Sequence, residues 1–448
     1  MKFRIGVLVV LVTILSFSGN AMASGFAIAE QSVSGLGNAF AGGSAAAEDA
    51  STVWHNPAGM TQIEGKQFVG SLHIIIPKAE FKNNGSNTVF AAPLSGGNGG
   101  DAGGVVPVPN LYYTETFDTG WSFGLGVNAP FGFATEYDSD WVGRYHGVKS
   151  AVETININPS AAHRLNDKFS YGFGISIQYL DAELTNAIDF GALETLGFFA
   201  PAVFGMTPQG DDGFTAAEGD SWGFGYNLGF LYNITEKQRV GLSYRSKIEH
   251  DVEGDVDWTL PSTGGFDLTM AALNQFQDGG VKVNIELPST ASLSYFGQFN
   301  KLALMADISW TEWSVLDELV LDYADGTQNG VTQFQWDDSM RYSIGVSYDL
   351  NETSRLRGGL AFDESPIPND ELRGVRVPGE DRTWLTVGYS QEFSKTWSFE
   401  AAFAHIMTDD PVINKTDPTS VENNTRGFLQ GEYDATVNIL SAQLNYNF

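Results

Sequence analysis

Apolar residues alternate with small or polar residues along most of the chain after residue 65. In residues 222–233, every even position is aromatic or aliphatic, whereas the odd positions are mostly Gly and Asn. Residues 121–131 show the same alternation, with the apolar side chains at odd positions. Because successive side chains of a strand point to opposite faces, this pattern predicts β-strands with one apolar face and one small, polar face.

The polar face carries mainly Gly, Ser and Asn, which is typical of the interior of a transmembrane barrel whose outer face meets lipid. Six short turns and seven long loops separate the strands, as expected for an even-stranded barrel with both termini on one side. A secreted, soluble all-β protein is the alternative. The predicted fold class is all-β, a fourteen-stranded antiparallel transmembrane β-barrel, with strands near 67–81, 103–117, 121–131, 150–165, 169–184, 220–233, 238–252, 280–299, 302–322, 331–349, 354–363, 382–392, 396–407 and 430–448.

The two ends of the chain have different patterns. Lys2 and Arg4 precede an apolar run at 5–19 and the small residues of Ala21-Met22-Ala23, which predicts a signal peptide over 1–23. Residues 24–65 do not alternate and are rich in Ala, Gly and Ser, so we predict an N-terminal plug of short helices inside the lumen. The alternative is a loose arm. Residues 66–448 are the predicted barrel, and their last strand ends at the aromatic Phe448.

Composition narrows the class of protein. The formal net charge is −30, which excludes a basic surface for nucleic acid. With no cysteine, an exported chain cannot use disulfides and depends on strand pairing and packing.

Signals for catalysis are weak. The chain has no G-x-S-x-G, P-loop or H-E-x-x-H motif, and its six His residues are scattered. We therefore predict no catalytic residues, no metal site and no cofactor. A barrel hydrolase would require a Ser–His pair within hydrogen-bonding distance.

Several motifs resemble those of the FadL/TodX family of outer-membrane transporters for long-chain fatty acids and other hydrophobic compounds. The resemblance covers nearly the whole mature chain and implies a fourteen-stranded barrel closed by an N-terminal plug. The motifs are Ser24-Gly25-Phe26, residues 34–40, Glu48-Asp49-Ala50, the plug motif Asn56-Pro57-Ala58, residues 126–132, 222–226, 242–246 and 359–366, and Pro378 with Asp381, Arg382 and Trp384.

Two outer loops, at 184–219 and 254–279, carry more large apolar side chains than loops in water usually do. The resemblance implies a capture groove for apolar ligands there, and the alternative is that the loops pack only on each other. The candidate capture residues are Phe190, Leu193, Leu196, Phe198, Phe199, Val203, Phe204, Met206, Met270, Leu273 and Phe276.

The strand at 121–131 contains a proline, which cannot donate a hydrogen bond within a sheet. Family members have a kink in this strand, so we predict a lateral gate through which cargo leaves the barrel. The alternative is a proline that simply ends the strand. The gate residues are Asn128, Ala129, Pro130, Phe131 and Gly132.

The alternation of inward and outward positions along each strand predicts that nine charged residues face the lumen. They are Arg245, Lys247, Lys282, Arg341 and Arg382, with Glu249, Glu286, Asp307 and Asp349. A fatty acid needs a cation or another donor for its carboxylate. Phe26, Arg245, Lys247, Arg341 and Arg382 are the predicted lumen pocket, with Arg341 and Arg382 as the carboxylate candidates. Structural ion pairs are the alternative.

The function expected from these observations is passive uptake of hydrophobic molecules across the outer membrane of a Gram-negative bacterium, with long-chain fatty acids as the expected cargo. Uptake of neutral aromatic or aliphatic hydrocarbons is the alternative within transport. A barrel hydrolase and a surface receptor are the alternatives from other classes. The expected partners are the cargo and outer-membrane lipid, and the chain is expected to be monomeric.

Overall fold

The structure, a computed structural model, describes residues 25–448. The predicted signal peptide, residues 1–23, lies outside the described residues, as does Ser24. No helix within the described part of the chain is long and apolar enough to cross a membrane.

The strands form one antiparallel sheet that closes on itself, because the last strand pairs with the first from Gln67↔Asn447 to Asn83↔Gly431. Several wall strands consist of two segments separated by a bulge or a short helix, and the wall contains 14 strands in total. The predicted fold class is therefore confirmed. The segments are β1 Lys66–Asn83, β2 Val106–Thr116, β3 Trp121–Asn128, β4 Gly132–Glu136, β5 Lys149–Arg164, β6 Phe169–Asp189, β7 Asp212–Thr235, β8 Gln238–Arg245, β9 Ile248–Thr259, β10 Gly279–Leu287, β11 Thr290–Phe299, β12 Leu302–Thr311, β13 Glu318–Tyr323, β14 Gly330–Gln333, β15 Ser339–Asp349, β16 Ser354–Asp363, β17 Arg382–Glu392, β18 Trp397–Thr408, β19 Val412–Asn414 and β20 Gln430–Asn447.

The N-terminal segment before β1 folds into short helices. They are α1 Val33–Gly37, α2 Gly43–Ala46, α3 Thr52–His55 and a 3-10 helix at Pro57–Gln62. Later helices lie in the loops: α4 Phe190–Thr195, α5 Phe266–Leu273 and α6 Val421–Arg426, with 3-10 turns at Thr263–Gly265 and Trp313–Val315.

The plug is fixed to the wall by buried polar contacts. Ser34 Oγ donates to Asp49 at 2.7 Å, and Gln443 of β20 donates to the same carboxylate at 2.9 Å. Glu48 forms ion pairs with Arg355 and Arg357 of β16. Since buried carboxylates are costly unless they are paired, these contacts hold the plug in one orientation.

In two neighbouring wall strands, the inward-facing positions switch between odd and even residue numbers part-way along the strand. In β8 the odd positions face the plug, and Gly241 lies against the Ser44 carbonyl. After a bulge at 246–247 the even positions of β9 face inward, so Val252 is buried in the lumen. β10 and β11 change parity in the same way across residues 288–289. One extra residue exchanges the two faces of a strand.

This change corrects part of the predicted lumen set. Lys247 and Lys282 lie on the outer face, where they form ion pairs with Glu286 and Glu253. The side chains of Lys282 and Glu253 are each 69% exposed. Glu249 is exposed on this outer face too, beside Asn284, so it and Glu286 are also not lumen residues.

The predicted strands at 302–322 and 331–349 were too long. After β12, residues Trp313–Val315 form a 3-10 turn, and β13 then pairs with β14 in a small hairpin. β13 rejoins the wall only at Val281↔Tyr323 and Lys282↔Asp322. Apolar side chains of this stretch, those of Trp313, Leu316 and Leu319, are buried in the lumen, and the burial of their apolar surface stabilises the departure from the wall.

Candidate functional site

The wall is interrupted between β2 and β4. β3 pairs with β2 only from Leu111↔Val127 to Thr116↔Ser122. β4 pairs with β5, and in the pairings of residues 25–448 it has no strand partner on the β2 side. The proline at 130 lies in the three-residue interruption between β3 and β4. The structure therefore contains a gap in strand pairing at the predicted gate residues, 128–132.

The N-terminal tip of the plug occupies this gap from inside. The amide of Ile28 donates to the Pro130 carbonyl at 2.9 Å, and the amide of Gly132 donates to the Phe26 carbonyl at 2.9 Å. Gln31 adds a side-chain hydrogen bond of 2.9 Å to the Ala129 carbonyl. The plug thus supplies the backbone partners that a neighbouring strand would otherwise provide.

Aromatic rings surround the tip. The Phe26 ring lies 6.0 Å from Phe131, 5.5 Å from Phe133, 5.1 Å from Trp313 and 6.1 Å from Trp336, measured between ring centroids. Rings at these distances attract each other beyond the effect of buried area alone. Displacing the tip would expose this cluster.

A cavity of about 210 Å³ lies between the plug and the wall. Pro130 and Phe131 of the interruption line it, and so do Ala27 and Ile28 of the tip. On the opposite side the lining is polar, with Ser243, Ser292 and Asp307. The cavity therefore extends to the inner side of the strand gap.

The predicted lumen cations have different surroundings. Arg245 and Arg341 line the cavity, whereas Arg382 is buried and Lys247 lies outside the barrel. Arg245 donates to the Trp54 carbonyl at 3.0 Å and Arg341 to the Ala39 carbonyl at 2.9 Å. Both cavity cations thus also hold carbonyl groups of the plug.

The predicted capture residues divide into two groups. Phe190, Leu193, Met206 and Met270 are buried in one cluster, with Phe199, Phe204 and Phe276 packed against it. The loops therefore pack extensively on each other. The remaining four are exposed: Leu196, Phe198, Val203 and Leu273.

A second cavity, of about 180 Å³, lies beneath these loops and is called here the outer cavity. Leu193, Phe198, Phe199 and Phe276 contribute to it from the predicted set. Its other walls come from β6, β9, the β13–β14 hairpin and α6, with Arg376 and Arg426 at one end. Sequence reasoning missed both arginines, because they lie in loops without a periodic pattern.

The plug motif fixes the 3-10 helix to the wall. Asn56 Nδ2 donates to the Ser44 carbonyl at 2.6 Å and to the Phe230 carbonyl of β7 at 3.0 Å, and its Oδ1 accepts from the Ala58 amide. A Cβ at Gly229 would lie 2.0 Å from Asn56 Oδ1. The motif therefore needs a glycine opposite it for this close approach.

Burial changes the protonation of several plug groups. It raises the pKa of Glu30 to about 7, although Arg341 and Arg382 oppose the shift, and it lowers the pKa of His55 to about 4. For Glu48, burial would raise the pKa, but Arg357 and Arg355 outweigh it and lower the value. The plug therefore holds one carboxyl that titrates near neutrality.

Ser–His contacts do occur, as the hydrolase alternative would require. Ser221 Oγ lies 2.8 Å from His250 Nδ1, and His250 Nε2 lies 3.0 Å from Gln178 Oε1. His250 is fully buried, and none of the three residues lines either cavity described above. In the described chain, no three His, Cys, Asp or Glu side chains form a metal-binding group.

Comparison with known proteins assigns the chain to a protein family. The family described as outer membrane protein transport protein (OMPP1/FadL/TodX) matches residues 14–448. The chain belongs to this family. Members of the FadL/TodX family are outer-membrane transporters of hydrophobic compounds and not enzymes, and this chain is accordingly an outer-membrane protein.

Individual relatives agree with this assignment. A long-chain fatty acid transport protein of Escherichia coli O6:H1 is 29% identical over 413 residues, which cover 88% of this chain and 89% of the relative. A Pseudomonas aeruginosa FadL homologue of known structure has a TM-score of 0.87 at 22% identity, covering 95% of this chain and 100% of the other. The toluene transporter TodX of P. putida has a TM-score of 0.68 at 18% identity, covering 92% and 97%. These two structures show a shared fold.

Proposed function

We propose that the protein takes up long-chain fatty acids passively and releases them sideways through the gap between β2 and β4. Cargo would first adsorb to the exposed apolar residues of the outer loops, namely Leu196, Phe198, Val203 and Leu273. It would then pass through the outer cavity to the lumen cavity above the plug. Lipid would receive it once the plug tip moves.

The observation that carries this proposal is the contact between the tip and the broken strand. Continuous strand pairing would have to be broken at several hydrogen bonds before cargo could cross the wall. Here two backbone hydrogen bonds, from the Ile28 amide to the Pro130 carbonyl and from the Gly132 amide to the Phe26 carbonyl, take the place of that pairing. Each is worth only about 0.5–1.5 kcal/mol net. Moving the tip therefore opens a path that leads directly to lipid.

Fatty acids are favoured as cargo by the relative named as a fatty acid transport protein. Neutral hydrocarbons are the second candidate, and one observation supports them. Arg245 and Arg341, the cations that line the lumen cavity, donate to plug carbonyls. A cargo without charge would leave these bonds intact.

A reversible crosslink tests the lateral route. Ala27 and Phe131 face each other as an antiparallel pair, flanked by the two hydrogen bonds above. Such non-hydrogen-bonded pairs have Cα atoms about 4.5 Å apart, which suits a disulfide. The native chain has no cysteine, so an Ala27→Cys/Phe131→Cys variant would carry a single possible bridge.

We expect the oxidised double variant to lose most uptake of labelled fatty acid in cells that lack other uptake proteins, and reductant to restore it. Each single cysteine variant serves as a control, since it cannot form the bridge. Full uptake by the oxidised variant would contradict an exit that needs the tip to move.

A further inference from the structure

One edge of the gap in the wall is formed by β2, which carries two prolines there. β2 pairs with β1 as far as Val106, but its pairing with β3 begins only at Leu111. In the pairings of the described chain, residues 106–110 therefore have a strand partner on one side only. Pro107 and Pro109 lie in this half-paired stretch, and the gap is on its other side.

The backbone groups of both prolines face the gap. In an antiparallel pair, residues that exchange backbone hydrogen bonds alternate with residues that do not. Proline has no amide hydrogen, yet the pairing with β1 continues through Ile74↔Pro107 and Leu72↔Pro109. The donors to β1 are then the alternate residues, such as Val108. The gap side of this stretch consequently presents carbonyl acceptors and no amide donor.

The opposite edge, β4, does carry donors. The Gly132 amide donates to the Phe26 carbonyl at 2.9 Å, and the Glu136 amide donates to the Ala102 carbonyl at 3.4 Å. These alternate amides point away from β5 and toward the β2 side. Two facing edges with donors are a template for strand pairing. The prolines remove the donors from one edge, and their rings occupy the space that the carbonyl of a partner strand would need.

The tip of the plug forms backbone hydrogen bonds with only one edge of this gap, the segment between β3 and β4. Its hydrogen bonds with β2 all involve a side chain. Asn110 Nδ2 donates to the Glu30 carbonyl at 2.8 Å, and Tyr112 Oη donates to Gln31 Oε1 at 3.3 Å. Among the backbone hydrogen bonds of residues 25–448, none joins the tip to β2. The tip can therefore withdraw without breaking a backbone contact on the β2 side.

We propose that Pro107 and Pro109 are positioning residues that keep the β2 edge of the exit unpaired. While the plug is closed, they leave the backbone of the tip bound to one edge, so that the tip can withdraw. Once it has withdrawn, they prevent β2 and β4 from joining into a continuous wall, so that the gap stays open to cargo. This inference rests on the proposed function and adds two residues on the strand across the gap from Pro130.

Restoring the missing donors tests the inference. Pro107→Val/Pro109→Val and Pro107→Ala/Pro109→Ala both return two amide hydrogens to the edge, with side chains of different bulk. Pro159→Val is the control, because it returns an amide hydrogen to β5, whose pairing with β3 continues through Leu125↔Pro159. Each change is made in the full-length protein carrying a single cysteine at Ala27→Cys, since the native chain has none.

Two quantities are measured. The rate at which the cysteine reacts with a thiol reagent reports withdrawal of the tip, and uptake of labelled dodecanoate by cells reports transport at equal surface expression. We expect both double variants to slow the thiol reaction by about three- to tenfold, because the restored amides can hold the tip from the second side. Uptake should fall several-fold. Each single variant should show a smaller effect in the same direction, and Pro159→Val should change neither quantity.

The direction of the change separates this role from a merely structural one. If the prolines only stabilised the wall, replacing them would loosen the barrel and speed the thiol reaction. A faster or unchanged reaction in variants that migrate as folded barrels on gels overturns the inference, and so does unchanged uptake. An effect of the Val pair that the Ala pair lacks would assign the change to side-chain bulk and also overturns it.

If a double variant does not fold, the single variants decide by the same criteria. Single variants that do not fold would show that the prolines are needed for the wall itself, which overturns the inference too. The proposed function fails separately: it fails if the native protein takes up no fatty acid. The thiol reaction rates still decide the role of the two prolines in that case, because they do not depend on cargo.

Discussion

The indole ring of Trp313 lies 5.1 Å from the phenyl ring of Phe26 and covers the tip of the plug. The approach is so close that a Cβ at Gly25 would lie 2.4 Å from Trp313 Cζ2. Trp313 begins the stretch that leads into β13, where Leu319 and Leu321 line the outer cavity. A single chain segment therefore touches both the outer cavity and the plug tip.

We predict that Trp313→Ala loosens the tip without unfolding the barrel. Removing a buried Trp costs about 3–5 kcal/mol of packing, and here the loss falls on the contact between tip and wall. A cysteine placed at Ala27 should then react several-fold faster with a thiol reagent than in the Trp313 parent.

Heat-modifiable migration on gels would confirm that the barrel of this variant is folded. Trp121→Ala is the matched control, because Trp121 is 42% exposed and lies at the start of β3, away from the tip. Equal reactivity of the Ala27 cysteine in all three backgrounds would show that Trp313 does not hold the tip.

The barrel could be predicted from the sequence because alternation is a local signal that repeats in every strand. Side chains such as Phe224 and Tyr226 are exposed on the outer face, as the pattern indicates. The interruption at Pro130 was also predictable, since a proline has no backbone amide hydrogen to donate to a neighbouring strand. The partner that fills the gap was not, because Phe26 and Pro130 are distant in sequence.

The alternating pattern assigned residues to the wrong face of the sheet where a bulge adds one residue to a strand. Nothing in the residues around Ser246 signals an extra residue, yet the bulge moves Lys247 from the lumen to the outer face. At the bulge the Tyr226 amide donates to Ser246 Oγ at 2.9 Å, a contact between residues that are distant in sequence. Arg376 and Trp336 were missed for a related reason: they lie in irregular segments, where burial depends on tertiary packing.

We predict that closure of the plug depends on pH through Glu30. Burial raises its pKa to about 7 from an ordinary 4.5, against the opposing charges of Arg341 and Arg382 and with support from Asp363. A carboxyl whose pKa is raised in the closed plug stabilises that state fully below about pH 4.5. This contribution is lost as the pH rises through about 7. The tip should therefore move more readily at pH 8 than at pH 6.

The rate of thiol labelling at Ala27→Cys again provides the measurement. Because the labelling reaction itself depends on pH, each rate is divided by the rate measured at the same pH for a cysteine on an exposed loop. Glu30→Gln should abolish the corrected difference, because the amide does not titrate. A difference that persists in Glu30→Gln would assign the effect to another group.

We predict that the plug motif is required for docking of the plug and not for assembly of the barrel. Asn56→Ala removes two hydrogen bonds to carbonyls and the one it accepts from the Ala58 amide, which should cost about 1–3 kcal/mol at a buried site. We expect increased proteolysis within residues 25–65 at unchanged heat-modifiable migration. Asn233→Ala is the control, because Asn233 lies near the end of β7, where its side chain donates to the Asp167 carbonyl and does not contact the plug. Loss of the folded barrel in Asn56→Ala would instead make the plug a folding element.

Finally, we predict that Pro130→Val reduces uptake several-fold at equal surface expression. Valine supplies the missing backbone donor and favours extended strand structure, so β3 and β4 should approach a continuous strand and narrow the gap beside β2. Pro159→Val is the matched control, because Pro159 lies in β5 opposite Leu125, within a wall region that has partners on both sides. The measurement is uptake of labelled fatty acid, together with antibody labelling of the cell surface. If Pro130→Val and Pro159→Val both transport at the native rate, the strand interruption is not the exit, and cargo must leave past the plug along the barrel axis.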